Sequence, residues 1–207
     1  MKNQPTTLYY VHDPMCSWCW GFRPAWQEIC QKLPADIHLK YLLGGLAPDS
    51  DEPMPPAMQQ DIAGYWHNIQ QRIPNTKFNF DFWKQCEPRR STYPACRAVI
   101  ATKKQRPDLE RTIIEAIQKA YYLQAKNPSN DDTLIKLAIN LGLDKEKFSK
   151  DLNAKSTQDE LLKEIQFSQS IGAQGFPSMV LEKEGHYQLV PLDYNNAQTT
   201  LDFIQQF

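Results

Sequence analysis

The run Leu8-Tyr9-Tyr10-Val11-His12-Asp13-Pro14-Met15-Cys16-Ser17-Trp18-Cys19-Trp20-Gly21-Phe22 changes character part-way along. Leu8 to Val11 is short, apolar and β-prone, and His12-Asp13-Pro14-Met15 is a break signal. From Trp18 onward Phe22, Trp26, Ile29 and Leu33 recur at helical spacing until Pro34 ends the pattern. A strand therefore stops and a helix starts across Cys16 and Cys19. Further on, Ile37, Leu39, Tyr41 and Leu43 alternate with His38, Lys40 and Leu42 as a second strand does, and Gly44-Gly45 closes it.

Working outward, the Pro-, Asp- and Glu-rich stretch from Pro48 to about Pro56 reads as an exit into a different layer. Helical stripes follow: Met58, Ile62, Tyr65 and Ile69; then Leu109, Ile113, Ile117 and Ala120; then Leu134, Leu137, Ala138 and Leu141 ahead of Gly142. Thr157 and Glu160 form a capping-box pattern for a helix through Ile165. Phe78 to Phe82 is an alternating aromatic run compatible with more than one state. After Gly172, Ser178 to Leu181 and Tyr187 to Val190 are β-prone runs joined around Glu184-Gly185, a hairpin signal. Ala197, Leu201 and Ile204 form a closing helix. The order is βαβ, several helices, then ββα. Without the middle it is the thioredoxin topology, an α/β fold (βαβ-ββα) carrying a large all-helical insertion. The expected division is 1-47 with 173-207 for the thioredoxin-like part and 48-172 for the insertion.

The chain has 207 residues, 23% charged and 41% apolar, with a formal net charge of −1. That composition suits a globular chain with a real core. It provides no basic footprint for nucleic acid. No run approaches the ~18 apolar residues of a membrane span. The opening Met1-Lys-Asn-Gln-Pro-Thr-Thr7 lacks the pattern of a secretory leader, so the expected location is the cytoplasm, with no membrane partner. In a reducing compartment a close cysteine pair is more often redox-active or metal-binding than structural. Five cysteines are present.

A thiol attacks as the thiolate, and a free cysteine with a pKa of about 8.5 is mostly protonated at neutral pH. A helix N-terminus favours the anion through unpaired N–H groups and the positive end of the macrodipole. Cys16 is the thiol so placed, and the two-residue spacing lets Cys19 close a small disulfide ring with it. Cys16 is therefore the expected attacking group and Cys19 the resolving one. Zinc would need two further ligands, and Cys86 and Cys96 come with no matching histidine pair, so no metal is expected. Cys30, Cys86 and Cys96 read as packed or idle thiols. His12, Asp13 and Ser17 are near enough in sequence to tune Cys16, while the plainer reading of His12 and Asp13 is turn formation.

The run Asp13-Pro-Met-Cys-Ser-Trp-Cys-Trp-Gly-Phe22, with Pro24 five residues past Cys19 and Gly175-Phe176-Pro177 before the hairpin, resembles the DsbA-like branch of the thioredoxin superfamily, in particular its cytoplasmic FrnE-type members. Ser91-Thr-Tyr-Pro-Ala-Cys-Arg-Ala-Val99 is similar to an insertion motif of the same group. The resemblance implies a thiol–disulfide oxidoreductase of the protein disulfide reductase or isomerase type. Cys16, Cys19 and Pro177 would be its catalytic residues, Pro177 following a cis peptide, and Trp18, Gly175 and Phe176 would bind substrate. Its partners would be protein or peptide thiols and disulfides. It implies no cofactor beyond the redox-active pair, with glutathione as a candidate reductant. The sequence departs from the Cys-Pro-His-Cys of periplasmic oxidases by carrying Ser17 and Trp18, which implies a less oxidising couple. Two other readings share the architecture: a kappa-type glutathione-dependent isomerase or transferase, and a non-enzymatic DsbA-like protease adaptor.

Overall fold

The computed structural model describes residues 6–206. Met1–Pro5, part of the run read for a leader, and Phe207 lie outside the described residues. The elements run β1 (Thr6–His12), α1 (Ser17–Lys32), β2 (Ile37–Leu43), α2 (Pro56–Arg72), α3 (Phe82–Gln85), α4 (Tyr93–Gln105), α5 (Glu110–Gln124), α6 (Asp131–Asn140), α7 (Lys145–Leu152), α8 (Lys155–Ser170), β3 (Ser178–Lys183), β4 (His186–Val190) and α9 (Ala197–Gln206). A single turn of 3-10 helix, Pro107–Leu109, leads into α5.

The strands form one sheet in the order β2-β1-β3-β4. β1 runs parallel to β2 and antiparallel to β3, and β3 and β4 form the expected hairpin. Its turn places Glu184 and Gly185 at φ 52° and 82°, the left-handed pair that a two-residue hairpin needs. Strand alternation divides β1 between two cores. Leu8 and Tyr10 pack with Phe22, Trp26 and Ile29 of α1 and Leu201 and Ile204 of α9. Tyr9 and Val11 pack on the other face with Val180, Ile171 and Phe167.

Helices α2 to α8 are inserted between β2 and β3 and share a third core that includes Trp66, Val99, Ile113, Ile117, Leu134, Phe148 and Leu161. At its centre lies α4, where Pro94 through Thr102 are all buried. Arg97 crosses this layer: its guanidinium donates to both carboxylate oxygens of Asp49 at 2.7 and 2.9 Å, to Leu152 O at 3.0 Å and to Gln158 Oε1 at 2.8 Å.

Local expectations are corrected in several places. The capping box is absent. α8 starts after Ala154, so Thr157 is its third residue, fully buried, and its hydroxyl accepts from Lys104 Nζ at 2.7 Å. In α2 it is Trp66, not Tyr65, that enters the core; Tyr65 is 52% exposed. Phe78 to Phe82, compatible with more than one state in the sequence, is an irregular segment ending in the short α3. Its rings surround Trp66, with Phe78 stacked at 4.9 Å and Phe80 edge-on at 5.6 Å.

Candidate active site

Cys16 is the N-cap of α1, with extended backbone at φ −81° and ψ 118°. Its N–H donates to Asp13 O at 3.0 Å and its carbonyl accepts from Trp20 N at 3.1 Å, so the tight turn after β1 feeds directly into the helix. The Asp13 carboxylate builds that turn. It accepts from Met15 N at 2.7 Å, Leu46 N at 2.7 Å and Thr92 Oγ1 at 2.6 Å, with Cys96 Sγ at 3.5 Å. This one side chain joins the cysteine turn, the segment after β2 and the start of α4. Burial pushes its pKa up, against the lowering effect of the hydrogen bonds from Leu46, Thr92 and Met15.

The second half of the site arrives from the far end of the insertion. The Phe176-Pro177 peptide is cis, as expected, and the Phe176 carbonyl accepts from Cys16 Sγ at 3.3 Å. Gly44 makes room for this loop: a Cβ there would lie 1.9 Å from the Phe176 ring. Gly45, at φ +65°, turns the chain where a side chain would strike Ile165 and Tyr93.

Cys16 is buried, at 6% exposure, and Cys19 lies behind it at 1%. Both are free thiols, as are Cys30, Cys86 and Cys96. Burial pushes the Cys19 thiol well above its ordinary range, and its hydrogen bond and charge interaction with Cys16 add to the rise. The approach to Cys16 is a groove of about 300 Å³ lined by Ser17, Trp18, Gly175 and Phe176, all expected near the site. The resemblance implies an insertion that roofs this face with an apolar groove, but sequence reasoning named none of the residues of the opposite wall, where Ile62, Tyr65, Trp66, Arg90 and Tyr121 come from the insertion. Trp18 is held by Tyr194, edge-on at 5.5 Å, and by the Arg72 guanidinium 5.8 Å from its ring centre.

His12 does not reach Cys16. As the last residue of β1 it follows Tyr10 onto the α1 side, stacked on that ring at 5.4 Å. Cys86 Sγ donates to Ala125 O at 3.1 Å, and Cys96 is fully buried. Among the described residues no group of three or more His, Cys, Asp or Glu side chains is arranged to hold a metal ion, and no helix is long and apolar enough to cross a membrane.

A paired thiol at a helix cap, facing a cis-proline loop on a βαβ-ββα sheet, agrees with the family-model match, which covers residues 9–190 and is described as thioredoxin. The chain belongs to the thioredoxin family. Among solved structures, a provisionally named protein disulfide isomerase from Nitrosomonas europaea superposes with a TM-score of 0.85 at 27% identity, covering 98% of this thioredoxin-family chain and 97% of that one. The cytosolic disulfide reductase DsbM from Pseudomonas aeruginosa superposes at 0.76 with 22% identity, covering 97% of each chain, and its complex with GSH at 0.75. Together with a DsbA oxidoreductase fold from Streptomyces coelicolor at 0.73 and 17% identity, covering 97% of this chain and 89% of that one, they show the DsbA-like form of the thioredoxin fold with its helical insertion. Among curated proteins, the ClpXP adapter protein SpxH is 22% identical over 183 residues in Halalkalibacterium halodurans and 25% over 173 in Bacillus subtilis. These alignments cover 86% and 83% of this chain but 59% and 55% of the relatives, so the chain spans less than two thirds of their length.

Proposed function

We propose that the protein is a thiol–disulfide oxidoreductase of the disulfide reductase or isomerase type, in which Cys16 attacks a substrate disulfide and Cys19 resolves the mixed disulfide. The observation that carries this reading is the Cys16 sulfur 3.3 Å from the Phe176 carbonyl, at a helix cap beside Pro177 and at the floor of an aromatic groove. A substrate cysteine entering the groove would meet the sulfur with its backbone beside Gly175 and Phe176, while Trp18 and Tyr65 cover its neighbours. Peptide and protein disulfides are the proposed substrates. Glutathione is the proposed small-thiol partner, a role supported by the GSH complex of the similar fold. The cytoplasm is the proposed compartment. The same reading divides the chain into 1-47 with 173-207 for the thioredoxin-like part and 48-172 for the helical insertion.

The test is disulfide reduction in an insulin-type assay. Cys16→Ser should abolish it, while Cys19→Ser should keep the attack, lose the release and accumulate reductant-sensitive complexes with cytoplasmic proteins. A Cys16→Ser protein that still turns over, or a Cys19→Ser protein that traps nothing, would refute the assignment. Equilibration with glutathione buffers should place the couple below the roughly −120 mV of DsbA, because no histidine lies between the cysteines.

The curated relatives favour a second reading, a protein-binding adaptor, since the SpxH proteins are named as adapters. Capture of a protein partner that survives replacement of both Cys16 and Cys19 would favour it.

A further inference from the structure

The groove in front of Cys16 is walled mainly by apolar and aromatic side chains, among them Met15, Trp18, Ile62, Tyr65, Trp66 and Phe176. Among the described residues that line it, Arg90 alone is charged. Its guanidinium is exposed and, among the described residues, joins no ion pair and no hydrogen bond. The nearest wall carries a donor of its own: burial pushes the Tyr121 hydroxyl up, against a lowering by the positive charge of Arg90, so it stays protonated. The Asp13 carboxylate beneath the turn is already engaged by Met15, Leu46 and Thr92. On the near wall the guanidinium of Arg72 stands behind Trp18, 5.8 Å from its ring centre. The approach to the sulfur is therefore positive and offers donors without an anion to meet them.

The backbone that carries Arg90, between α3 and α4, is fixed by its neighbours. Arg89 donates to Ser129 O and to Asn130 Oδ1, the latter at 2.9 Å, and its backbone bridges to Pro53. Ser91 O accepts from Ser129 Oγ at 2.6 Å. Arg89 is thus tied to the chain's own acceptors, while Arg90 is held over the groove with nothing of its own to bind.

Resting on the oxidoreductase reading above, we propose that Arg90 is a specificity-determining residue that selects disulfides carrying a carboxylate next to the reacting cysteine. The carboxylate has two sources, an Asp or Glu flanking a polypeptide cysteine and the carboxylates of glutathione itself. A substrate that enters the groove displaces water from Arg90. A guanidinium covered in this way needs an acceptor, and a carboxylate supplies one through charge-assisted, paired hydrogen bonds. An amide supplies a weaker, neutral acceptor, and a lysine brings a like charge. Beside the rings of Tyr65, Trp66 and Tyr121 the effective dielectric is lower than on open surface, so the difference between these neighbours is larger there. Selection comes from the penalty on the wrong neighbour as well as the gain from the right one.

The test uses peptide homodimers joined by one disulfide and labelled with a self-quenching fluorophore, alike except for Glu, Gln or Lys after the cysteine; a second set varies the residue before it. The second-order rate constant for reduction by the pre-reduced protein is divided by that for dithiothreitol, a neutral reductant, which removes the peptides' own reactivity. In at least one set the Glu peptide should exceed the Gln peptide on the order of 10-fold, with the Lys peptide slower still and the spread narrowed by salt. Arg90→Gln should collapse the spread to about one, and Arg90→Lys should restore part of it. Glutathione disulfide separates the two sources. Flat peptide ratios, with glutathione disulfide reduced more slowly by Arg90→Gln than by Arg90→Lys, would assign the carboxylate to the tripeptide. Flat ratios with no such difference overturn the proposal, as does a Glu preference that survives Arg90→Gln. Equal slowing of every peptide by Arg90→Gln, with the spread intact, marks a structural role and overturns it too. A parent protein that reduces none of these disulfides refutes the oxidoreductase reading, and the selection with it.

Discussion

Asp13 and Gly44 show how single residues set the geometry around Cys16. The Asp13 carboxylate is fully buried and gathers donors from Met15, Leu46 and Thr92. An amide in its place would keep one acceptor oxygen and turn an NH₂ toward backbone donors. Asp13→Asn should therefore cost about 1–3 kcal/mol in urea unfolding, and unchanged stability would mean that the carboxylate is not the strut described. Gly44 acts by having no side chain. With an added Cβ overlapping the Phe176 ring, Gly44→Ala must displace the loop that receives Cys16, and misplacement by about 1 Å can cost on the order of 10²-fold in rate. The expected result is a folded protein whose disulfide-reduction kcat/KM falls steeply. Near-normal turnover would show that the loop position does not matter to exchange.

At the scale of elements, α4 decides whether the insertion can stand over the site, because its N-terminus supplies Thr92 to Asp13 while its body packs against α5, α7 and α8. Ala95, Ala98 and Ala101 are each fully buried, and their small size lets three helices approach one. Ala101→Leu should overpack this contact and destabilise by about 1–3 kcal/mol, whereas Leu162→Lys, at a half-exposed position of α8, should change the thermal midpoint little. The same helix shows where sequence reading stops. The amphipathic helices α1, α5 and α6 and the alternating or β-prone runs of all four strands were legible, because one buried face imposes a period on the chain. α4 is buried on all sides through nine consecutive residues, so it carries no period, and only the resemblance of Ser91 to Val99 pointed to it. α7 has only Phe148 and Leu152 buried, too few to repeat. At the candidate site, the meeting of Cys16 with the Phe176-Pro177 loop and the cis peptide there were legible because they are tied to a motif. The far wall at Tyr65, Arg90 and Tyr121 depends on how the insertion folds over, which no local pattern encodes. The parity of β1 was a signal for His12: sharing a face with Leu8 and Tyr10, it had to point under α1 and away from the groove.

For the molecule as a whole, that same burial of His12 makes a prediction about stability against pH. Its folded pKa is depressed to about 3, while the unfolded chain takes up the proton near the ordinary value of about 6.5. Between these values the unfolded state binds one proton more than the folded state, so stability rises with pH through the window and is lost as pH falls from about 6.5 toward 3. Asp13 and Glu164 act in the opposite direction. Burial raises both, so the folded state binds protons first as pH falls, and a comparison of two proteins that share both carboxylates cancels their effect. Between pH 7.5 and pH 5 the linkage relation gives a loss of about 2 kcal/mol from one such histidine. Urea unfolding at the two pH values, compared between the parent protein and His12→Phe, isolates it, because exposed histidines contribute equally to both. The parent should lose about 2 kcal/mol more than the variant over this interval. Parallel losses in the two proteins would mean that the folded state accepts a proton on His12 as readily as the unfolded chain does, and the ring would then not be the neutral, buried group that the geometry describes.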